Sequence, residues 1–156
     1  MGHRILLLVL FLFAASCITV EICDESYDSE LVAKFKTVHE GEAVDSTVSA
    51  LTMYGIREGL IDSLLYDSAS VSGFEVPLDP HRNFTRFVLQ INDWTDTLTI
   101  YHHQEIYLIS YTCGFADLFT LEHLESSSGY IAGDTILSPM IDAEYETNEV
   151  HIWLYL

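Results

Sequence analysis

Apolar residues recur at every second position through much of residues 84–124, the most regular stretch of the chain. Phe87, Leu89 and Ile91 illustrate this period of two, which gives a β-strand one apolar face. Asn92-Asp93 predicts a turn, and the run 102–104 (His-His-Gln) predicts a break, so the pattern gives three antiparallel strands joined by short loops. Gly114 then predicts a bend before a fourth strand over 115–124. The stretch is therefore predicted to be a β-meander.

Two segments before this meander carry apolar residues at helical spacing instead. The first has its apolar positions on one face of a helix, with Gly41 available to end it: Leu31, Val32, Phe35 and Val38. The second predicts a helix from Ile56 to Tyr66, although Gly59 weakens it. Near the end, 139–145 predicts a short helical segment and 150–156 an alternating final strand. The predicted fold class is α+β, mainly antiparallel β, with a meander or barrel-like sheet and one or two flanking helices.

The N-terminus has the pattern of an export signal. Arg4 precedes the apolar run Ile5–Ala15, and the small residue Ser16 with Cys17 follows, which is the order of a cleavable signal peptide. A membrane-spanning helix needs about 20 apolar residues, so this run is too short to be one. We expect residues 1–19 to be the signal peptide and 20–156 to be a single secreted, extracellular globular domain. A bacterial lipoprotein modified at Cys17 is the alternative interpretation.

The charge of the chain is strongly one-sided and excludes some partners. Against 24 acidic residues stand only 6 basic ones, for a formal net charge of −18. Nucleic acid and anionic membranes would repel such a chain, and no segment after the leader is long and apolar enough to span a bilayer. The acidity has two interpretations, namely solubility of a chain rich in apolar residues, or attraction of cationic partners such as amines or basic proteins.

Removal of the leader at residue 17 or 19 leaves Cys23 and Cys113, and an isolated pair in an exported protein usually forms a disulfide. Closing so long a loop would stabilise the fold by about 4 kcal/mol in the chain-entropy model. Two free buried thiols are the alternative. Asn83-Phe84-Thr85 is an acceptor triplet for N-glycosylation at Asn83, and the proline-flanked connection before it favours exposure.

No catalytic or metal motif stands out. His102 and His103 are adjacent, so in a strand they point to opposite faces and cannot hold one ion; His103 and Glu105 share a face, which by itself is a weak metal signal. Nucleophile motifs and phosphate-binding glycine loops are lacking, and carboxylate pairs carry little information in so acidic a chain. The sequence therefore predicts no enzymatic activity, no cofactor and no metal.

The predicted sheet is then expected either to enclose a small ligand or to present a binding surface. A curled meander can enclose a small hydrophobic ligand, and the candidate lining residues are those of its apolar face: Phe87, Leu89, Ile91, Leu98, Ile100, Tyr107 and Phe119. The alternative is an ordinary filled core made of the same side chains.

The run Tyr107-Leu-Ile-Ser-Tyr-Thr-Cys113 resembles a late barrel strand of the lipocalin (calycin) family, and Phe119–Leu124 resembles the strand that follows it. A cysteine near the mature N-terminus paired to one in this strand is a further similarity. Departures are the missing Gly-x-Trp of the first strand, since the tryptophans are Trp94 and Trp153, and the missing arginine after the last barrel strand. The resemblance implies a non-catalytic carrier of a small apolar or amine ligand. The alternative function is a secreted module with a filled core that binds another protein.

Overall fold

The computed structural model describes residues 29–127, 129–143 and 149–156, and all of the regular structure in these ranges is β-strand. The strands follow one another as β1 Glu30–His39, β2 Glu42–Asp45, β3 Val48–Arg57, β4 Leu60–Val71, β5 Gly73–Pro77, β6 Phe84–Ile91, β7 Trp94–Ser110, β8 Gly114–Ser126, β9 Gly133–Ile136, β10 Met140–Ile141 and β11 Ile152–Tyr155.

These strands form two open sheets with a common apolar core. Sheet A has the order β2-β1-β11-β9, and β5 also pairs with β1. Sheet B has the order β10-β8-β7-β6-β3-β4. The core contains side chains of both sheets, such as Phe35 and Leu154 from sheet A and Leu51 and Ile100 from sheet B. Each of these side chains is less than 1% exposed. Because the sheets do not close on each other, the predicted barrel-like architecture is wrong.

Strand β1 organises sheet A because it pairs along both of its edges. Its first half lies antiparallel to β5 and its second half antiparallel to β2, while β11 lies parallel to it on the other edge, with Ala33 opposite Ile152. The C-terminal strand therefore pairs with the first described strand. Such a pairing joins residues that are far apart in the sequence.

In sheet B, β6, β7 and β8 form the antiparallel meander that the alternation predicts, with the turn at Asn92-Asp93 between Ile91 and Trp94. The predicted break at 102–104 is wrong, since β7 continues from Trp94 to Ser110. His102 keeps the alternation because its side chain points inward and is fully buried. As a result, the β7–β8 hairpin extends past the end of β6, whose pairing with β7 stops at Phe84 opposite Tyr101.

The first predicted helix is wrong: residues 31–38 belong to strand β1. Leu31, Ala33 and Phe35 are buried at every second position, while the side chains between them are half-buried. The helix is predicted from the spacing of Leu31, Val32, Phe35 and Val38. If Ala33 is also counted as apolar, Leu31, Ala33 and Phe35 form the alternating pattern of a strand. Val38 ends up 65% exposed, which a helix packed through that face would not allow.

The second predicted helix, Ile56–Tyr66, is a β-hairpin between β3 and β4. Glu58 and Gly59 form a two-residue loop with φ of 53° and 81°, and Arg57 lies opposite Leu60. Positive φ at both loop positions is the type I′ geometry that matches the twist of a hairpin. The predicted helical segment at 139–145 is wrong in its described part, where β10 pairs with Phe119 and Thr120 of β8.

Several predictions fall outside the described ranges. The leader at 1–19 and Cys23 lie there, so the export signal and the disulfide with Cys113 stay predictions. Within the described ranges, no helix has the length and apolar character to cross a membrane.

Candidate functional site

Six of the seven residues predicted to line a ligand cavity lie in the packed core between the sheets. Each is exposed by no more than 2%, and all belong to one cluster of apolar side chains: Phe87, Leu89, Ile91, Leu98, Ile100 and Phe119. The seventh, Tyr107, is half-buried on the part of β7 that extends past β6. These core side chains pack in one cluster with other apolar side chains of the protein.

A buried polar group lies where the β5–β6 connection meets β7. The Thr85 hydroxyl is 2.9 Å from His102 Nε2 and accepts a hydrogen bond of 2.7 Å from the Asp79 amide. Burial lowers the pKa of His102 below its ordinary value, which favours the neutral ring. A hydroxyl bonded to a neutral imidazole resembles the nucleophile–base pair of hydrolases. Here, however, the imidazole is fully buried, so it cannot contact a substrate and instead ties the connection to the sheet.

The outer face of sheet B carries a row of side chains that we name the ring strip: Phe84, Arg86, Tyr101, His123 and Glu125. The register creates it, because Phe84 lies opposite Tyr101 and Tyr101 lies opposite His123 across three neighbouring strands. Tyr101 and His123 stack with ring centroids 4.2 Å apart and planes inclined by 10°. Phe84 lies 6.1 Å from Tyr101 at an inclination of 49°. The three rings therefore form a continuous row.

Arg86 lies at the β6 end of the ring strip and is held there by two contacts. Its guanidinium carbon is 5.3 Å from the centre of the Phe84 ring, and its Nε donates a hydrogen bond of 3.3 Å to the Thr99 hydroxyl. A cation over an aromatic face is attracted by the ring electrons. The Arg86 side chain is thus oriented along the sheet surface rather than extended into solvent.

Glu125 lies at the β8 end and links the rings to a carboxylate. The Tyr101 hydroxyl donates a hydrogen bond of 3.2 Å to Glu125 Oε2, and this bond to a carboxylate raises the pKa of Tyr101 above its ordinary value. His123 Nε2 lies 4.0 Å from Glu125 Oε1, and the two side chains are 55% and 62% exposed. Further along β7, His103 Nε2 and Glu105 Oε1 approach to 3.7 Å, as expected for two residues on one face of a strand.

The geometry of the ring strip decides what it can bind. Tyr101 and His123 are cross-strand neighbours that stack face to face, so each ring covers one face of the other and directs its edge outward. A flat sugar ring needs an open aromatic face, and this pair offers none that lies parallel to the sheet. Ring edges beside a guanidinium and carboxylates are instead typical of protein–protein contacts, where Tyr and Arg are enriched.

The described residues contain no group of three or more His, Cys, Asp or Glu side chains arranged to hold a metal ion. His103 and Glu105 lie together, but His151 lies just before β11 of sheet A, where its Nδ1 accepts a hydrogen bond from the Val32 amide. A surface cleft of about 280 Å³ lies between the β3–β4 hairpin and the β5–β6 connection, with Arg57, Asp62 and Asp79 in its wall. Pockets for small ligands usually start at about 300 Å³, so this cleft is small for that use.

Sequence reasoning missed the ring strip as a unit. Tyr101 and Phe84 are recognisable in the sequence as aromatic residues, but no local pattern shows that they are neighbours on one face of a sheet. The missing information was register: only the pairing of β7 with β8 brings His123 and Glu125 beside Tyr101. The alternation did contain one signal, because four residues occupy the positions between the inward-facing apolar residues of their strands. These are Phe84, Arg86, Thr99 and Tyr101.

Comparison with known proteins gives one match. Residues 33–155, most of the chain, match the model of a family of unknown function, DUF6452. No curated protein and no solved structure matches the chain.

Proposed function

Because the chain belongs to DUF6452, a family of unknown function, we propose a role for it from its own surface chemistry. The protein is an exported, non-catalytic binding module that engages a basic partner protein through the ring strip of sheet B. The observation that carries this proposal is the continuous row of rings from Phe84 through Tyr101 to His123 on the outer face of a sheet whose inner face is already packed.

The filled core supports a surface role over a carrier role. Side chains such as Leu89 and Ile100 are fully buried against other side chains of the protein, so a ligand between the sheets would have to displace them. Interiors are packed about as densely as organic crystals, which makes such displacement costly. The ring strip, by contrast, binds a partner without any rearrangement of the core.

Charge supports a basic partner. The chain carries a formal net charge of −18, and the exposed carboxylate of Glu125 lies at the β8 end of the ring strip. Complementary charge speeds the encounter between two proteins and disfavours wrong partners. Arg86 lies at the other end, so the two ends of the ring strip carry opposite charges. This difference favours one orientation of a charged partner.

The polar groups of the described residues support a non-catalytic role. Among the described residues, Thr85 and His102 form a hydroxyl–imidazole pair that resembles catalytic machinery, and its imidazole is fully buried. His123 and Glu125 are exposed, but their partner is the Tyr101 ring, and they lie on an open sheet face that excludes no water. Catalytic groups usually work in concave sites that exclude water.

Site-specific photocrosslinking in the native cells tests the proposal. A photoreactive phenylalanine analogue replaces Tyr101 in one variant and Trp153 in a matched control. Trp153 is an aromatic residue on the outer face of sheet A, since its neighbours Ile152 and Leu154 point into the core. We expect the variant at 101 to form one crosslinked product with a basic protein, and the variant at 153 to form none. That protein is then purified and mixed with this one, and a heavier complex is expected in size-exclusion chromatography.

Two results would overturn the proposal. Equal crosslinking from positions 101 and 153 would show that the ring strip has no special role. A thermal shift with fatty acids, retinoids or biogenic amines, in protein that forms no complex with the crosslinked partner, would instead support the small-ligand carrier.

A further inference from the structure

The β7–β8 hairpin ends in a projection that we name the arm, residues 103–118. Within it β7 and β8 pair regularly, from Glu105 opposite Leu118 to Leu108 opposite Phe115. Strand β6 stops opposite Tyr101, so among the described residues no strand pairs with the side of β7 that faces away from β8 in the arm. We name this side, over residues 103–108, the arm edge. A strand edge with unpaired backbone groups readily pairs with a further strand.

Alternate residues of β7 direct their backbone groups toward the arm edge. The His102 amide donates a hydrogen bond of 3.0 Å to the Asn83 oxygen, so the backbone of His102 faces the β6 side. The pairing with β8 is regular from His102 to Leu108, and every second residue of a strand faces the same neighbour. The amide and carbonyl groups of Gln104, Ile106 and Leu108 therefore lie along the arm edge.

The pairing on β8 agrees with this assignment. Asp117 lies opposite Ile106, and its backbone oxygen accepts a hydrogen bond of 2.5 Å from the Ser29 hydroxyl on the far side of β8. Two residues that lie opposite each other in an antiparallel pair either both face each other or both face away. Ile106 and Asp117 thus both face away, and the described chain contacts the β8 side of the arm but leaves the arm edge open.

The other sheet edges in the described ranges are short, irregular or covered. Strands β2, β9 and β10 have at most four residues, and the backbone of Glu75 on β5 is bonded to the Tyr66 hydroxyl. Strand β4 is long, but its pairing with β3 shifts register repeatedly and Ser68 has a φ of 48°. Short strands, bulges, lysine and proline are the usual protection of a sheet edge. Residues 103–118 contain no lysine, arginine or proline, so the regular arm edge lacks these devices.

The side chains beside the arm edge define the chemistry of a strand that fits it. Ile106 and Leu108, on the face that continues the core, are 66% and 45% exposed, and Phe115 opposite Leu108 is 71% exposed. On the other face lie Glu105 and His103, both about two-thirds exposed. An added strand would therefore meet apolar side chains on one face and a carboxylate on the other.

We propose that the arm edge is a second docking surface, where an extended segment of a partner protein adds a strand to sheet B. In this segment apolar residues, which contact Ile106 and Leu108, alternate with lysine or arginine residues, which approach Glu105. Backbone hydrogen bonds provide affinity in this mode of binding, and the alternate side chains provide specificity. Charge favours a basic segment over a second copy of the chain, because two molecules of net charge −18 repel each other. The arm edge is separate from the ring strip and goes beyond the function proposed for it.

Hydrogen exchange measured by NMR on the full mature chain tests this proposal with a synthetic peptide. The probe alternates valine with lysine over about seven residues, enough to span the arm edge, and the control peptide alternates valine with glutamate. We expect the probe at saturation to slow exchange of the amides of Gln104, Ile106 and Leu108 by about tenfold. The amides of Glu105 and Tyr107 should not change, because they already face β8. The control peptide should have no effect.

Three results would overturn the proposal. If the amides of Gln104, Ile106 and Leu108 already exchange slowly in the free monomer, the arm edge is covered without a partner. If their protection rises with protein concentration in the absence of peptide, the occupant is a second copy. Small changes spread over the acidic surface, without the alternation along β7, would show that the peptide is attracted only by net charge.

Substitutions at Ile106 separate backbone pairing from side-chain contact. Ile106→Pro removes a donor that faces the arm edge rather than β8, a position where strands accept proline, whereas Ile106→Ala keeps the donor. We expect about tenfold weaker peptide binding for Ile106→Pro and a clearly smaller loss for Ile106→Ala. Unchanged exchange in β1 and β11 confirms that each variant is folded, and equal losses would contradict strand addition. Tyr101→Ala should bind the peptide as wild type does, so a failure at the ring strip and a failure at the arm edge are distinguishable.

Discussion

His151 Nδ1 accepts a hydrogen bond of 2.9 Å from the amide of Val32, and the amide of His151 donates one of 2.9 Å to the carbonyl of Val32. This pair of bonds joins the chain before β11 to the first described strand, just before their parallel pairing begins at Ala33 and Ile152. His151 is 4% exposed. Its imidazole thus takes the place of a backbone acceptor where the segment before β11 meets β1.

Replacing His151 with alanine is expected to destabilise the fold by about 2 kcal/mol, because a buried amide of Val32 loses its acceptor. The free energy of unfolding in urea measures the effect. His39→Ala, at an exposed position of β1, is the matched control and should cost less than about 0.5 kcal/mol. Equal losses in the two variants would show that the Val32 contact contributes nothing.

The fold is expected to lose stability in mild acid. Burial lowers the pKa of both His151 and His102, so the unfolded chain binds more protons than the folded one below about pH 6.5. Stability is therefore full above the unfolded pKa and falls as the pH drops from there through the folded pKa values. Urea titrations between about pH 8 and pH 5 measure this slope, and His151→Gln should reduce it. A slope that is the same in wild type and variant would contradict the role of His151.

Asp96 is expected to be the most costly buried carboxylate to remove. Its Oδ1 accepts hydrogen bonds from the Ser127 amide and hydroxyl at 2.8 and 3.1 Å, and its Oδ2 accepts one of 3.2 Å from the Ile131 amide. Asp96→Ala leaves these donors without their acceptor and should cost about 3 kcal/mol, measured by chemical unfolding. The control is Asp93→Ala in the exposed turn nearby, where little change is expected. A loss below about 1 kcal/mol for Asp96→Ala would contradict this.

Gly73 is expected to reject any side chain. A Cβ at this position would lie 2.1 Å from the backbone oxygen of Ala33, and a backbone atom cannot move aside as a flexible side chain can. Gly73→Ala should therefore destabilise the protein by about 3 kcal/mol, through the separation of β5 from β1. Gly133→Ala is the control, since the nearest atom to its Cβ would be 4.0 Å away, on Tyr155. Similar thermal midpoints for the two variants would disprove the close contact.

Period-two alternation predicted β6, most of β7 and β8, because these strands each bury one face. It failed for β1, where Leu31, Val32, Phe35 and Val38 fit a helical stripe as well as a strand. It also failed at the β3–β4 hairpin, since Glu58 adopts a positive φ that sequence rules assign to Asn, Asp or Gly. The parallel pairing of β1 with β11 depends on contacts between distant residues, which local patterns do not contain.

The candidate site was less predictable than the fold. The aromatic residues were visible in the sequence, but their partners depend on which residues of β7 and β8 lie opposite each other. That register includes an irregularity between Tyr101 and His102, so counting residues from the turn does not pair Tyr101 with His123. Burial places Phe87 and its neighbours in the core, which the sequence alone could not distinguish from the lining of an open cavity.

The affinity of the crosslinked basic partner for Tyr101 variants tests the central claim most directly. Tyr101→Ala removes the ring between Phe84 and His123, whereas Tyr101→Phe keeps the ring and loses only the hydrogen bond to Glu125. Calorimetric titration is expected to show at least tenfold weaker binding for Tyr101→Ala, a much smaller loss for Tyr101→Phe, and weaker binding of wild type as salt increases. An unchanged dissociation constant for a correctly folded Tyr101→Ala protein would contradict the claim that this face of sheet B is the binding surface.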